Sequence, residues 1–192
     1  EAGDVLRIVQ GADQTIYVFY ALGETGSERW METYDKNMEL IAETDVEDML
    51  DMEGTDGESV DFPTMQIDKQ GNHYFLGWDK PGNHHVLIFD KEMKYIGKIR
   101  GDMELGKELM RTADGKVYLM YRVGAQQKRF AYVNIQNMTL DAVEGMNLPG
   151  YYTSIVSGTN GYDFYLNAPE AFYGVDASEG NAEVVIDWNS SM

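Results

Sequence analysis

HVLIFDKEMKYIGKIRG, His85–Gly101, is the stretch whose reading decides the fold. An apolar run ends at Asp90, polar residues and Met93 follow, and a second run alternates apolar with polar. That order predicts two antiparallel strands joined by a tight turn. The first strand is apolar on both faces, with Val86 and Ile88 against Leu87 and Phe89, so a layer is expected on each side of it. Tyr95–Arg100 is half polar, as an outermost strand should be.

The same order recurs in three other places. The first copy has GADQTIYVFYA (Gly11–Ala21) and RWMETYDKNMELIAE (Arg29–Glu43). The second precedes its His85 segment with IDKQGNHYFLGW (Ile67–Trp78). The third has TADGKVYLMYR (Thr112–Arg122) and RFAYVNIQNMTLDAV (Arg129–Val143). The fourth has SGTNGYDFYLN (Ser157–Asn167) and AFYGVDASEGNAEVVIDW (Ala171–Trp188). Tyr17, Tyr74, Tyr118 and Phe164 fall at one aligned position, and Asp35, Asp90, Asn134 and Asp176 at another. Met38, Met93 and Met138 fall at a third, which the fourth copy lacks and which reads as packing between blades. Copies lie 42 to 57 residues apart, and a further short strand precedes each pair. A period in the low-to-mid forties with four strands per copy reads as propeller blades.

The expectation is therefore one all-β, β-propeller-like domain over 1–192, about four blades of four antiparallel strands. The repeats cover about 5–45, 64–101, 108–145 and 151–188, and the first strands are expected at Val5–Gln10, Thr64–Asp68, Glu108–Thr112 and Tyr152–Val156. A short acidic insertion over 44–62 separates the first two copies. Glu43 to Asp61 holds nine acidic residues and no Lys or Arg. Thr44 and Glu47 fit a capping box, and Val46, Met49 and Leu50 make one apolar face, so a short helix on the rim is expected there, stopped by Gly54. Asp114-Gly115 predicts a two-residue hairpin turn. The Asp after each third strand is expected to accept bonds from backbone N–H groups just ahead of it.

Composition narrows the function. Of 192 residues 33 are acidic and 15 are Lys or Arg, a formal charge of −18. So acidic a surface disfavours nucleic acid and anionic lipid. It leaves open cationic partners, metal cations and neutral ligands such as sugars, whether the ligand is a small molecule, a glycan or a protein. The chain has no cysteine, which excludes disulfides and thiolate chemistry. No apolar run reaches the roughly 18 residues of a transmembrane helix. The chain opens at Glu1 without Met or a signal-peptide pattern, as a processed protein or a piece of a longer one would.

Candidate sites are few. Trp30, Trp78 and Trp188 fall at different places in their copies, so each is a candidate ring for stacking on a sugar or an apolar peptide side chain; the competing reading is that each fills a gap between blades. Asp51, Glu53 and Asp56 resemble a calcium loop in composition. Their spacing departs from the EF-hand pattern, which needs an acid or amide at 55 and Gly at 56. Otherwise no cofactor is expected. His84 and His85 must face opposite ways in a strand, with His73 on a neighbouring strand able to approach one of them. Carboxylate pairs at a channel mouth would be the alternative, a glycan-processing hydrolase or lyase. A purely structural spacer is the third reading.

AFYGVDASEGNAEVVIDWNSSM (Ala171–Met192) resembles the blade ends of propeller-like regions in secreted lipoproteins of anaerobic gut Firmicutes. Tyr173, Gly174 and Asp176 and the final run to Trp188 carry the likeness; Ser178-Glu179-Gly180-Asn181 stands where Thr-Gly-Glu is usual. Such regions often precede a solute-binding domain of ABC-transporter type. The resemblance implies a non-catalytic, extracellular module at the bacterial cell surface, with a lipid anchor outside this chain and further blades or a solute-binding domain as partners. It brings no functional residues.

Overall fold

A computed structural model describes residues 4–11, 13–23, 28–51, 59–79, 83–101, 104–123, 127–143 and 154–188. The chain divides into two compact units, Glu1–Gly101 and Asp102–Met192. In unit 1, β1 (Asp4–Gln10), β2 (Ile16–Leu22), β3 (Glu28–Tyr34) and β4 (Leu40–Asp45) form one antiparallel sheet in that order. A short helix α1 (Val46–Leu50) follows. Then β5 (Ser59–Ile67), β6 (His73–Trp78), β7 (His84–Phe89) and β8 (Tyr95–Arg100) form the second sheet. In unit 2 the third sheet is β9 (Glu104–Arg111), β10 (Val117–Val123), β11 (Gln127–Asn134) and β12 (Thr139–Ala142). The fourth is β13 (Ser154–Ser157), β14 (Phe164–Asn167), β15 (Ala171–Asp176) and β16 (Asn181–Asp187). The described residues thus form an all-β fold of four meandering four-stranded sheets, as the repeat predicts.

Each unit holds its own core. In unit 1 the β2 side chains Tyr17 and Phe19 and the β3 residue Met31 pack against Phe75, Leu87 and Phe89 of the second sheet. Phe75 meets Phe19 and Phe89 edge-on, with ring centroids 6.1 and 5.7 Å apart. Each such side chain, fully buried, contributes roughly 1.5–3 kcal/mol of transfer free energy. Val46, Met49 and Leu50 of α1 sit in this core rather than on a rim. In unit 2, Tyr118, Met120 and Phe130 of the third sheet pack against Phe164, Leu166 and Val175 of the fourth.

The turns explain the repeat. After the third strands, Asp35 Oδ1 accepts from the N–H groups of Asn37 and Glu39, and Asp90 Oδ1 from those of Glu92 and Lys94. Asp176 Oδ1 accepts from Ser178 and Glu179, and Asn134 Oδ1 from Asn137. The recurrent acid or amide holds its turn in shape, as expected. The recurrent methionine has a different role from packing between blades. Met38, Met93 and Met138 take φ of 67°, 60° and 54°, the left-handed residue that closes each turn, and Gly180 (φ 68°) is its counterpart in the fourth sheet. Met38 is 59 % exposed while Met93 is buried, so backbone shape rather than packing unites them. An unbranched side chain tolerates that φ better than a β-branched one.

Four local expectations need correction. The turn at Asp114-Gly115 is not a two-residue hairpin: Thr112 N–H donates to Lys116 O, enclosing three residues, with Gly115 at φ 88°. The N-cap of α1 is Asp45, whose carboxylate accepts from Glu47 N–H at 2.8 Å, and not Thr44. The inserted segment is shorter than 44–62, because β4 runs to Asp45 and β5 starts at Ser59. The fourth member of the tyrosine position is Tyr165 and not Phe164. Phe164 pairs with Val175, the residue before Asp176, as His73 pairs with Phe89, the residue before Asp90. The turn from Gly158 to Asp163 carries one residue more than Asp68–Asn72, which shifts the register by one. A one-residue shift changes the face of the sheet, and Phe164 indeed lies in the core of unit 2.

Candidate functional site

The described residues of unit 2 enclose an open cleft of about 450 Å³. Tyr132 on β11, half-buried, lines it beside its directly paired neighbour Tyr118 on β10, which is buried; the ring centroids lie 5.6 Å apart. Ala142 and Val143 form one side, and the β15–β16 turn, Ala177 to Gly180, forms the other. Lys116 stands at the mouth. The volume suits a small ligand, and an apolar wall with a few polar groups is the common composition of such sites.

The sequence makes this space by small residues. Tyr17 in unit 1 occupies the strand position that Tyr118 occupies in unit 2, and each meets the facing sheet edge-on: Tyr17 on His73, Tyr118 on Phe164. The left-handed turn residue is Met93 in unit 1 and Gly180 in unit 2. Two positions on from the turn's closing side, Tyr95 pairs with Phe89 where Ala182 pairs with Val175. Met93 is buried in the core of unit 1, and Tyr95 packs against that core. Gly180 lines the cleft and Ala182 packs against the unit 2 core, each with less bulk than its unit 1 counterpart. Thr33, paired with Tyr17, is replaced by Tyr132, paired with Tyr118, which adds the second ring.

Tyr118 is held far from ionisation. Desolvation and the nearby carboxylates Asp163, Asp114 and Asp176 push its pKa up to about 12. It is therefore a neutral hydroxyl, and neither it nor the Tyr132 hydroxyl is hydrogen-bonded to a described residue. Lys116 Nζ lies 3.3 Å from Asp114 Oδ2. Asp114 is held below the usual carboxylate range, first by its bond from Thr112 and then by Lys116. Asp176 is lowered by the Ser178 hydroxyl and the Glu179 N–H. Glu179 is exposed at the rim.

The residues singled out from sequence lie elsewhere. Trp30 sits on β3 opposite Tyr20 and Asp45. Trp78 ends β6, its ring 6.3 Å from that of His84. Trp188 donates from Nε1 to Ala168 O at 3.0 Å and its ring neighbours Phe172 at 6.4 Å. None of the three lines the cleft, and Trp188 closes a chain of rings running Tyr162, Tyr165, Phe172, Trp188 on the face of the fourth sheet away from the core. Asp51 is the C-cap of α1, exposed at its end; Glu53 and Asp56 lie outside the described residues. Among the described residues no group of three His, Asp or Glu converges as a metal site would. His73 pairs with Phe89 while His84 and His85 pair with Trp78 and Gly77, so His73 lies at the far end of the ladder from both. Its Nδ1 lies 3.3 Å from Asp90 O and burial lowers its pKa to about 4.

No protein-family model matches the chain, and no curated protein does. Solved structures do match its fold. One is TolB from Acinetobacter baumannii, with a TM-score of 0.60 and 12 % identity over 96 % of this chain. Another is the uncharacterized protein lmo1340 from Listeria monocytogenes EGD-e, with a TM-score of 0.53 and 10 % identity over 96 % of this chain. The chain spans 44 % and 54 % of their lengths, about half of each. The likeness is one of fold: an all-β protein of successive four-stranded sheets. No helix among the described residues is long and apolar enough to cross a membrane.

The cleft residues were missed from sequence because they sit at repeat positions, read there as scaffold. One signal was available: where the second copy has Met93 and Tyr95, the fourth has Gly180 and Ala182.

Proposed function

We propose that this chain is a non-catalytic binding module of an extracellular bacterial surface protein, built of propeller-like blades, which captures a carbohydrate or peptide in the Tyr118–Tyr132 cleft. The observation that carries the reading is that cleft of about 450 Å³, lined by the half-buried Tyr132 beside the buried Tyr118. Rings of this kind stack on sugar faces and on apolar side chains, while the hydroxyls orient the ligand. Asp13, Asp35, Asp79, Asp114, Asp141 and Asp176 all have lowered pKa values, led in each by a hydrogen bond within its own hairpin, so these six serve their turns. Within this reading the full-length protein adds a lipid anchor and either further blades or a solute-binding domain.

The test is an array of bacterial and plant glycans, together with a random peptide library, probed with the wild-type chain and with Tyr118→Ala/Tyr132→Ala. Binding that the double variant loses, with every array glycan left intact, is the expected result. Cleavage of any array glycan would sink the proposal in favour of the hydrolase or lyase.

A further inference from the structure

Two sheet faces of this chain are apolar and open to solvent. On the first sheet, Val18 lies between the core residues Tyr17 and Phe19, so its side chain takes the other face. Ile8 is its direct partner, and Val5 opposite Tyr20 and Leu40 opposite Tyr34 extend that face. Val5, Ile8 and Leu40 are exposed. On the fourth sheet, Tyr165 lies between the core residues Phe164 and Leu166 and takes the face away from the core. Its direct partners are Val156 and Gly174, and Ile186 opposite Phe172 continues that face. Val156 and Ile186 are exposed. Contiguous apolar surface of this kind marks a contact site.

The repeat shows what each face is shaped to meet. Tyr17, Tyr74 and Tyr118 hold one position, and all three are buried. Two of them meet a ring from the second strand of the facing sheet. His73 stands edge-on to Tyr17 at 4.7 Å between centroids, and Phe164 to Tyr118 at 5.7 Å. Tyr165 holds the same position in the fourth sheet, yet it is only half-buried. His73 and Phe164 also share a position, each paired with the residue before its turn acid. In the first sheet that position is Ile16, paired with Tyr34 before Asp35, and it too is only half-buried. One chain therefore carries both halves of its own sheet-to-sheet contact, one on the first sheet and one on the fourth.

We propose that the fourth sheet of one copy docks on the first sheet of a second copy, setting Ile16 over Tyr165. This goes beyond the binding role and does not depend on the cleft. Length favours a second copy as the occupant. The chain spans 44 % and 54 % of the solved structures that share its fold, so two copies come close to one such chain. A contact between two different surfaces closes into a ring where the rotation allows, and otherwise runs on as an open chain. Carboxylates oppose it. Glu32 and Glu43 are paired on the open face of the first sheet, and Glu183 stands opposite Gly174 on that of the fourth. With a formal charge of −18 on each copy, association should be weak at low salt and strengthen as salt screens the repulsion.

The experiment is equilibrium sedimentation of the full chain from about 1 to about 300 µM, a range that captures micromolar contacts. It is run at about 0.05 and about 0.5 M sodium chloride, where screening lengths differ severalfold. The average mass should reach at least that of a pair at high salt and stay lower at low salt. Ile8→Lys and Ile186→Lys each place an ammonium on one face, at residues 63 % and 45 % exposed, where folding tolerates it. Each should weaken association at least about tenfold, because only the contact desolvates the charge. Mixing the two variants should recover an association that neither shows alone, since the intact fourth sheet of one meets the intact first sheet of the other. A chain that stays monomeric throughout would overturn the inference and leave both faces to further blades of a longer protein. Loss of association in only one variant would overturn it too, because that face would then be pairing with its own kind. No recovery on mixing would do the same. Circular dichroism of each variant separates lost association from lost folding.

Discussion

The two units solve the same packing problem with different side chains. Each has a tyrosine on its second strand, Tyr17 or Tyr118, meeting a ring of the facing sheet edge-on. In unit 1 Met93 belongs to the same core as Tyr17, and Tyr95 packs against it. In unit 2 the corresponding residues are Gly180, which lines the cleft, and Ala182, while Tyr118 is buried as Tyr17 is, at 4 % and 7 % exposure. The partner below also differs: a histidine in unit 1 and a phenylalanine in unit 2. The cleft thus accompanies smaller residues at two repeat positions and a β15–β16 turn one residue longer than the β7–β8 turn.

The largest effect should come from carving the same space into unit 1. Met93→Gly with Tyr95→Ala removes a buried side chain and a half-buried one from the Tyr17 core. Large-to-small changes of this kind cost about 3–5 kcal/mol, part transfer and part cavity, offset by about 1 kcal/mol as glycine relieves the left-handed conformation at position 93. Urea unfolding should show the loss, and protection of β2 and β6 amides in hydrogen exchange should fall with it. A loss below about 1 kcal/mol would mean that the two side chains do not fill this space.

The histidine should produce the next largest effect, and it depends on pH. His73 is buried, Nε2 has no hydrogen-bond partner, and desolvation lowers the pKa from 6.5 to about 4. Above pH 6.5 both folded and unfolded states hold it neutral. Between pH 6.5 and about 4 the unfolded chain takes up a proton that the folded chain refuses, so stability falls as pH falls. The full loss is on the order of 3 kcal/mol by the conversion of pKa shift to free energy. His73→Phe copies Phe164 of unit 2 and keeps a ring against Tyr17. It should flatten the stability curve across this window while costing about 1 kcal/mol near neutrality for the bond to Asp90 O. An unchanged acid limb in that variant would assign the pH dependence to carboxylates instead.

Much of this architecture is legible in the chain itself. Strands with both faces apolar, such as Val117–Tyr121, and the recurrent turn acid at Asp35, Asp90 and Asp176 predict four sheets, and four sheets are found. What sequence reading placed wrongly turned on single residues. The turn after Gly158 holds one residue more than its counterparts, and Gly, Thr and Asn are all at home in a turn, so Phe164 and Tyr165 exchange roles without a visible cue. The cleft was hidden for a related reason. An empty space is a property of neighbours, and Gly180 and Ala182 become informative only once the register sets them opposite Met93 and Tyr95. Of the calcium candidates, Asp51 is the C-cap of α1, and Glu53 and Asp56 lie outside the described residues.

A smaller effect tests the face of the fourth sheet away from its core. Gly174 stands where the second sheet has the fully buried Ile88, as the pairings Tyr165–Gly174 and Tyr74–Ile88 show. The ring of Tyr162 fills the missing volume: a Cβ on Gly174 would lie 2.5–2.7 Å from it. Gly174→Ala should push the ring aside and cost about 1–2 kcal/mol, the usual range for overpacking. Tyr162→Ala in the same background should remove most of that penalty, because the clash is with this ring alone among the three nearest contacts. Additive losses in the double variant would show that the ring is not what glycine accommodates.

The smallest change in stability should accompany the most direct test of the comparison. Gly180→Met with Ala182→Tyr rebuilds the lid of unit 1 over Tyr118. Met93 already shows that methionine tolerates this backbone, at φ 60° against 68° for Gly180. The left-handed conformation costs a non-glycine residue about 1 kcal/mol, and the new apolar contacts with Tyr118 and Tyr132 return a similar amount. The two nearly cancel, so the midpoint of unfolding should move little. Binding should not survive, because the new side chains occupy the ligand's volume. Any glycan or peptide that shifts the Tyr132 ring signal of the wild-type chain should then leave it still. Binding that persists beneath the rebuilt lid would mean that the rings are reached from another side, and that Gly180 and Ala182 are not what opens the cleft.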